Sequence, residues 1–151
     1  MPGTISQLAD ILLDVEKYTQ WAYATKRCVL IKQTTKLDLI YYSEIAVPWP
    51  GTNRDFYATY SMKLDTVAQV LQVFSVGMRN YLPEKENLVR IPLSKGIWYA
   101  HAVAPKTIHL QYILQVDPGG SIPAWILNLF ATKGPLETFE NLRNKMKGLN
   151  K

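Results

Sequence analysis

Cysteine occurs once in this chain, at Cys28, and histidine twice, at His101 and His109. One thiol cannot close an internal disulfide. The two histidines stand apart from any cysteine or carboxylate at metal-ligand spacing, so zinc centres of the usual kind are excluded and no metal or other cofactor is expected. There is no glycine-rich phosphate loop and no Gly-x-Ser-x-Gly turn, which removes nucleotide binding and serine hydrolysis of the common types. Cys28 lacks the context of a cysteine nucleophile and reads as a small strand residue. No apolar run is long enough to span a bilayer as a helix, and no charged-then-apolar leader marks a secretory signal. With the lone cysteine, these absences favour the cytoplasm. Linkers, repeats and low-complexity tracts are missing too, and 151 residues suit one domain over 1–151.

What is present is ordinary in amount and uneven in place. Apolar residues make up 48% and charged residues 19%, enough for a real core. The net charge is +5, and Lys133, Arg143, Lys145, Lys147 and Lys151 crowd the end of the chain. That crowding suits a solvated helix face complementing the C-terminal dipole, or a transient contact with an anionic membrane surface. Nucleic acid is not an expected partner, because the aromatics follow the apolar side instead of interleaving with the charges.

Thr4 and Gln7 fit a capping box, with Ile5, Leu8, Leu12 and Val15 as the buried stripe of a first helix. Tyr18, Trp21 and Tyr23 follow in a short second helical turn. The period then changes to that of strands: Cys28 to Gln33, Leu37 to Val47, Arg54 to Leu64, Ala68 to Met78, Leu88 to Val103 with a bend or split near Lys95-Gly96, and Thr107 to Val116. The joining loops are short and contain no helices, which means antiparallel neighbours and an α+β fold. Two strands alternate well enough to assign faces. In the last, Ile108, Leu110, Tyr112, Leu114 and Val116 face inward. In the third, Phe56, Ala58, Tyr60, Met62 and Leu64 do so. The second strand, with Ile40, Tyr42, Glu44 and Ala46 on one side and Leu39, Tyr41, Ser43, Ile45 and Val47 on the other, has no clearly polar face, so Glu44 is a candidate inward carboxylate.

Asp117-Pro118-Gly119-Gly120-Ser121 is a sharp turn, and Ser121 with Pro123 predicts a helix starting within two residues of Ile122. Ile122, Ile126, Leu129, Phe130, Phe139, Leu142, Met146 and Leu149 form its apolar stripe. Gly134-Pro135 interrupts that stripe and predicts a kink.

Three stretches together resemble one family. Val47-Pro48-Trp49-Pro50 with Asn53-Arg54-Asp55-Phe56, then Gly96-Ile97-Trp98, then Asp117-Pro118-Gly119-Gly120 with Ile122-Pro123-Ala124-Trp125, Asn128, Gly134-Pro135 and Leu142-Arg143, resemble START domains, the lipid-transfer domains related to the steroidogenic acute regulatory protein. The resemblance implies a helix-grip fold: a curved antiparallel sheet of about six strands around a long, kinked C-terminal helix, with an apolar cavity between them. It implies a hydrophobic small molecule, a lipid, as ligand. Full-length members carry a further helix and about three strands before the segment at which this chain opens. The expectation is therefore a fragment, a late start, or a partner that covers an open sheet edge, a second copy included.

Phe56, Ala58, Tyr60, Met62, Ile108, Leu110, Tyr112 and Leu114 from the sheet, and Trp125, Leu129 and Phe139 from the helix, would line that cavity or, equally, fill a close-packed core. Glu44, Tyr60 and Tyr112 would supply its few polar groups. Pro48, Trp49, Pro50, Arg54, Asp55, Trp98 and Pro123 are motif positions read as structural. Arg54 and Asp55, as strand neighbours, point to opposite faces and suit an ion pair or loop anchor. Trp49 is either an inward loop anchor or a membrane contact near a helix that opens for the ligand. The rival functions are an enzyme of the polyketide cyclase or aromatase type, with Glu44 as its acid or base, and an interaction module with an empty core.

Overall fold

The computed structural model describes residues 1–150. The Thr4 hydroxyl accepts from the Gln7 amide while the Gln7 side chain accepts from the Thr4 amide, and this reciprocal cap starts helix α1, Ile5–Leu13. One apolar face of α1 is buried at Ile5, Leu8, Ala9, Ile11 and Leu12. A 3-10 turn over Val15–Gln20 leads into the sheet.

The strands are β1 (Thr25–Gln33), β2 (Asp38–Ile45), β3 (Arg54–Asp65), β4 (Val70–Gly77), β5 (Val89–Arg90), β6 (Leu93–Ala104) and β7 (Thr107–Asp117). They run in the order β1-β2-β3-β4-β6-β7, all antiparallel. The two-residue β5 pairs parallel with Arg54 and Asp55 of β3, beyond the point where β4 stops pairing at Gly77 with Ala58. The long strand predicted from Leu88 to Val103 is thus divided, but at Ile91-Pro92 and not at Lys95-Gly96. Proline at 92 has no N–H to donate to a ladder, whereas Gly96 stays in register opposite Ser75 and Leu114.

Helix α2 (Ala124–Asn128) and helix α3 (Gly134–Leu149) are one continuous rod joined by a π-helical turn, Leu129–Lys133. The expected kink takes this form because Pro135 cannot donate within the ladder; the wider turn lets the Gly134 amide reach the Leu129 carbonyl instead. A Cβ on Gly134 would sit 2.6 Å from that carbonyl and 3.2 Å from the Tyr23 ring. Ser121 does not cap the helix. Pro123 occupies the N-cap position without a side-chain bond, so the start falls at Ala124. The predicted stripe is buried only at Ile126, Phe130, Leu142 and Met146, while Ile122 and Leu149 at its ends are exposed.

The concave face of the sheet is covered in two parts. α1, with Leu142 and Met146 of α3, packs on Met62, Leu71, Val73, Ile108 and Leu110 in the main core. A smaller cluster of Val47, Ile91, Ile126 and Phe130 seats α2.

Two buried arginines hold the remaining joints. Arg54 donates to the carbonyls of Thr52 (2.5 Å), Gly119 (2.7 Å), Pro118 (3.2 Å) and Ser121 (3.2 Å), clamping the turn that launches the helix. Asp55, on the other face, pairs with Arg90 at 2.8 Å and accepts from the Tyr42 hydroxyl at 2.7 Å. The two strand neighbours are both anchors, but they do not pair with each other.

Substituting Asp55→Asn leaves the Arg90 charge buried and uncompensated. Urea denaturation should show a loss of about 3–5 kcal/mol. Removal of the exposed Arg143–Glu140 pair through Arg143→Ala should cost under about 1 kcal/mol.

Candidate functional site

Between the sheet, the 3-10 segment and the C-terminal helix lies a cavity of about 160 Å³. Alternation along the strands decides what faces it. β2 contributes Tyr41, Ser43 and Ile45; β3 contributes Phe56 and Tyr60; β6 contributes Ser94, Gly96 and Trp98; and β7 contributes Tyr112, Leu114 and Val116. Tyr18, Trp21 and Tyr23 close one side, and Leu129, Phe130, Pro135 and Thr138 close it from the helix.

Of the residues expected to line a cavity, Phe56, Tyr60, Tyr112, Leu114 and Leu129 face this one. Ala58, Met62, Ile108 and Leu110 are buried further along the sheet, in the core under α1. Phe139 packs against that same core from α3. Trp125 turns outward, 39% exposed. Glu44 is also misplaced by the expectation. Register pairs it with Asp55, and its carboxylate takes a 3.3 Å bond from Tyr42 on the outer face of the sheet. Tyr42 and Asp55 are buried there because the chain from Met78 to Leu88 folds over the sheet and packs Tyr81 at a tilt against Tyr57, which is why β2 shows no polar face in its sequence.

The remaining motif positions separate by role. Trp98 lines the cavity and stacks on Tyr112 with ring centroids 4.0 Å apart. Pro48, Trp49 and Pro50 form an exposed loop, and Trp49 is 91% exposed, so it is no inward anchor. Tyr41, Ser43, Ser75, Ser94, Trp21 and Thr138 were missed as lining groups. The alternation of β6, with Gly96, Trp98 and Ala100 on one side, carried a signal for that strand; nothing comparable marked the 3-10 segment.

The polar side-chain groups of the cavity lining are hydroxyls and the indole N–H groups of Trp21 and Trp98. Tyr18 donates to the Leu12 carbonyl and reaches the Tyr60 hydroxyl at 3.0 Å, and the hydroxyls of Tyr41 and Ser75 lie 3.3 Å apart. Burial raises the phenols of Tyr18, Tyr41 and Tyr60 and pushes Tyr112 up to about 12. These groups are therefore neutral hydrogen-bonding partners and poor bases at neutral pH. No group of three or more potential metal ligands occurs among the described residues.

The C-terminal helix is tied unequally. α3 is held to the segment before β1 by the Thr138 hydroxyl accepting from the Tyr23 amide (2.9 Å), by the Asn141 amide donating to the Trp21 carbonyl (3.1 Å), and by Lys145 donating to Gln20 (3.0 Å). α2 rests mainly on the small Val47, Ile91, Ile126 and Phe130 cluster.

A curved antiparallel sheet with a cavity under a long terminal helix defines a helix-grip protein. The family model of the START domain matches residues 2–151, and the chain belongs to that family. It is 30% identical over 131 residues to an uncharacterised protein of Pseudomonas aeruginosa, covering 87% of this chain and 64% of that protein. Human phosphatidylcholine transfer protein is 28% identical over 131 residues, covering 84% of this chain and 60% of that protein. The chain thus spans under two thirds of the length of both. Among solved structures, a STAR-related lipid transfer protein from Xanthomonas axonopodis superposes with a TM-score of 0.84 at 26% identity, covering 97% of this chain and 81% of that one.

Two outcomes follow from burial of the ionisable groups. The Cys28 thiol, pushed up to about 12 by burial, should resist alkylation at about pH 8 in the folded protein and react on unfolding. The raised phenols favour the fold fully below their unfolded value of about 10 and lose that contribution as pH rises toward about 12. The urea midpoint should accordingly fall across that window.

Proposed function

We propose that this chain binds a lipid or other hydrophobic small molecule between its sheet and C-terminal helix and exchanges it at a membrane surface. The observation that carries this reading is the cavity itself: an aromatic and aliphatic lining, with hydroxyls and indole N–H groups as its polar side-chain groups, in a START-family chain. Water in such a space has few partners, and apolar ligand surface gains roughly 25 cal/mol per Å² on burial. Similarity to phosphatidylcholine transfer protein and to a STAR-related lipid transfer protein supports the ligand class. No helix of the described residues is long and apolar enough to cross a membrane, and a free thiol suits a reducing compartment such as the cytoplasm.

At about 160 Å³ the space is close to that of an engineered cavity of about 150 Å³ that admits benzene. A whole lipid therefore requires the helix to stand off. The weakly seated part is α2, which the π turn joins to the firmly tied α3. Beside α2 lie exposed apolar groups, Trp49 at 91%, Leu127 at 48% and Trp125 at 39%. A Cβ on Gly51 would approach the Trp125 ring within 3.0 Å, so the Trp49 loop and α2 abut. These groups are the proposed membrane contact, and α2 with that loop is the proposed gate.

Native mass spectrometry of the purified protein, followed by identification of what denaturation releases, tests binding. A stoichiometric lipid-sized adduct is expected, and a bare mass after exposure to a broad lipid extract rejects the reading. For the gate, Trp49→Ala should slow lipid exchange between vesicles by about fivefold or more while retaining ligand. Unchanged exchange in a folded variant carrying Gly134→Ala and Pro135→Leu would rule out the hinge.

A further inference from the structure

Among the described residues, no lysine, arginine, aspartate, glutamate or histidine lines the cavity. An ion placed there would surrender its hydration without meeting a counter-charge, and such transfers are among the costliest in protein chemistry. The likeness to phosphatidylcholine transfer proteins would suggest a zwitterionic headgroup, but this lining offers neither a cation for its phosphate nor a carboxylate for its ammonium.

What the lining does offer is gathered around Gly96. A Cβ at that position would lie 3.5 Å from the Tyr112 hydroxyl and 3.8 Å from the Ser75 Cβ, and the Ser75 hydroxyl in turn faces that of Tyr41 at 3.3 Å. The absence of a side chain on Gly96 keeps these hydroxyls accessible to one another and to the cavity. The Tyr112 hydroxyl has no hydrogen-bond partner among the described residues, although its ring is fixed by stacking on Trp98. Trp98 also meets Trp21 edge-on at 6.4 Å, and the buried indole N–H of Trp21 is without a partner. Unsatisfied buried donors such as the Trp21 N–H are rare and costly, and the unpartnered Tyr112 hydroxyl lines the same apolar space.

Resting on the lipid-binding reading above, we propose that the cavity selects an uncharged polar end, an alcohol or carbonyl oxygen of a hydrophobic molecule, which takes its hydrogen bond from Tyr112, and that it rejects ionised headgroups. Trp21 supplies a second donor for an oxygen that lies on its side of Trp98. Hydroxyls both donate and accept, so the Tyr41–Ser75 pair accommodates either an alcohol or a carbonyl.

The test compares matched probes by native mass spectrometry and by tryptophan fluorescence: dioleoylglycerol and oleyl alcohol against dioleoylphosphatidylcholine and oleate. The neutral probes should bind at least tenfold more tightly than the charged ones. Equal or tighter binding of phosphatidylcholine or oleate overturns the selection while leaving lipid binding intact. Failure of all four to bind overturns both readings. Tyr112→Phe, which preserves the stacked ring, should weaken oleyl alcohol by about fivefold and leave octadecene, the same kind of chain without the oxygen, unchanged. Equal losses for both probes, or none for the alcohol, would reject Tyr112 as the recognising group.

Discussion

Arg54 is buried in a β-strand without a carboxylate partner, and its guanidinium is satisfied by four main-chain carbonyls, three of them in the turn from Pro118 to Ser121. The direction in which the C-terminal helix leaves the sheet depends on this clamp. Carbonyls can fill a guanidinium fork only where the chain turns sharply, and the positive φ angles of Gly119 and Gly120 permit that turn. One residue along β3, Asp55 locks the outer face to Arg90 and thereby to the chain between β4 and β5. Adjacent strand residues thus brace two different layers because their side chains leave the strand on opposite sides.

With its start held by Arg54 and its second half tied to the segment before β1, the helix bridges the sheet and leaves a small space beneath its middle. The π turn falls over this space, where Pro135 and Gly134 line it. That position gives the arrangement its functional interest: the least regular part of the helix covers the least filled part of the core. Beyond the cavity, α1, Leu142 and Met146 cover the remaining concave face, which confines the cavity to one end of the sheet.

Legibility differed from element to element for physical reasons. β7 and β3 each have one apolar face, so period-two alternation revealed their inward residues. β2 misled because both of its faces are buried, one by the cavity and one by the folded-over chain with Tyr81, and a strand covered on both sides has no alternation to read. The expectation of an inward Glu44 fails for that reason, and its carboxylate lies on the outer face. Ala58, Met62 and Leu110 share a face with cavity residues but not a depth along the strand, and depth depends on where α1 docks. Trp125, expected to line the cavity, lies one residue off the stripe that carries Ile126, and the helix turns Ile126 inward and Trp125 outward.

The sequence by itself determined the antiparallel sheet, the capped first helix, the interrupted terminal helix and, through the Pro48–Phe56, Gly96–Trp98 and Asp117–Trp125 motifs, the START family. Each of these rests on local periodicity, backbone restriction or a fixed linear spacing. Tertiary structure alone decided that Arg54 reaches the turn before the helix, that Asp55 pairs with Arg90, that Trp49 is bare to solvent, and that the cavity is bounded by hydroxyls and no charge. Those outcomes depend on which residues, far apart along the chain, arrive at the same depth between sheet and helix, and no spacing within a single element encodes that meeting.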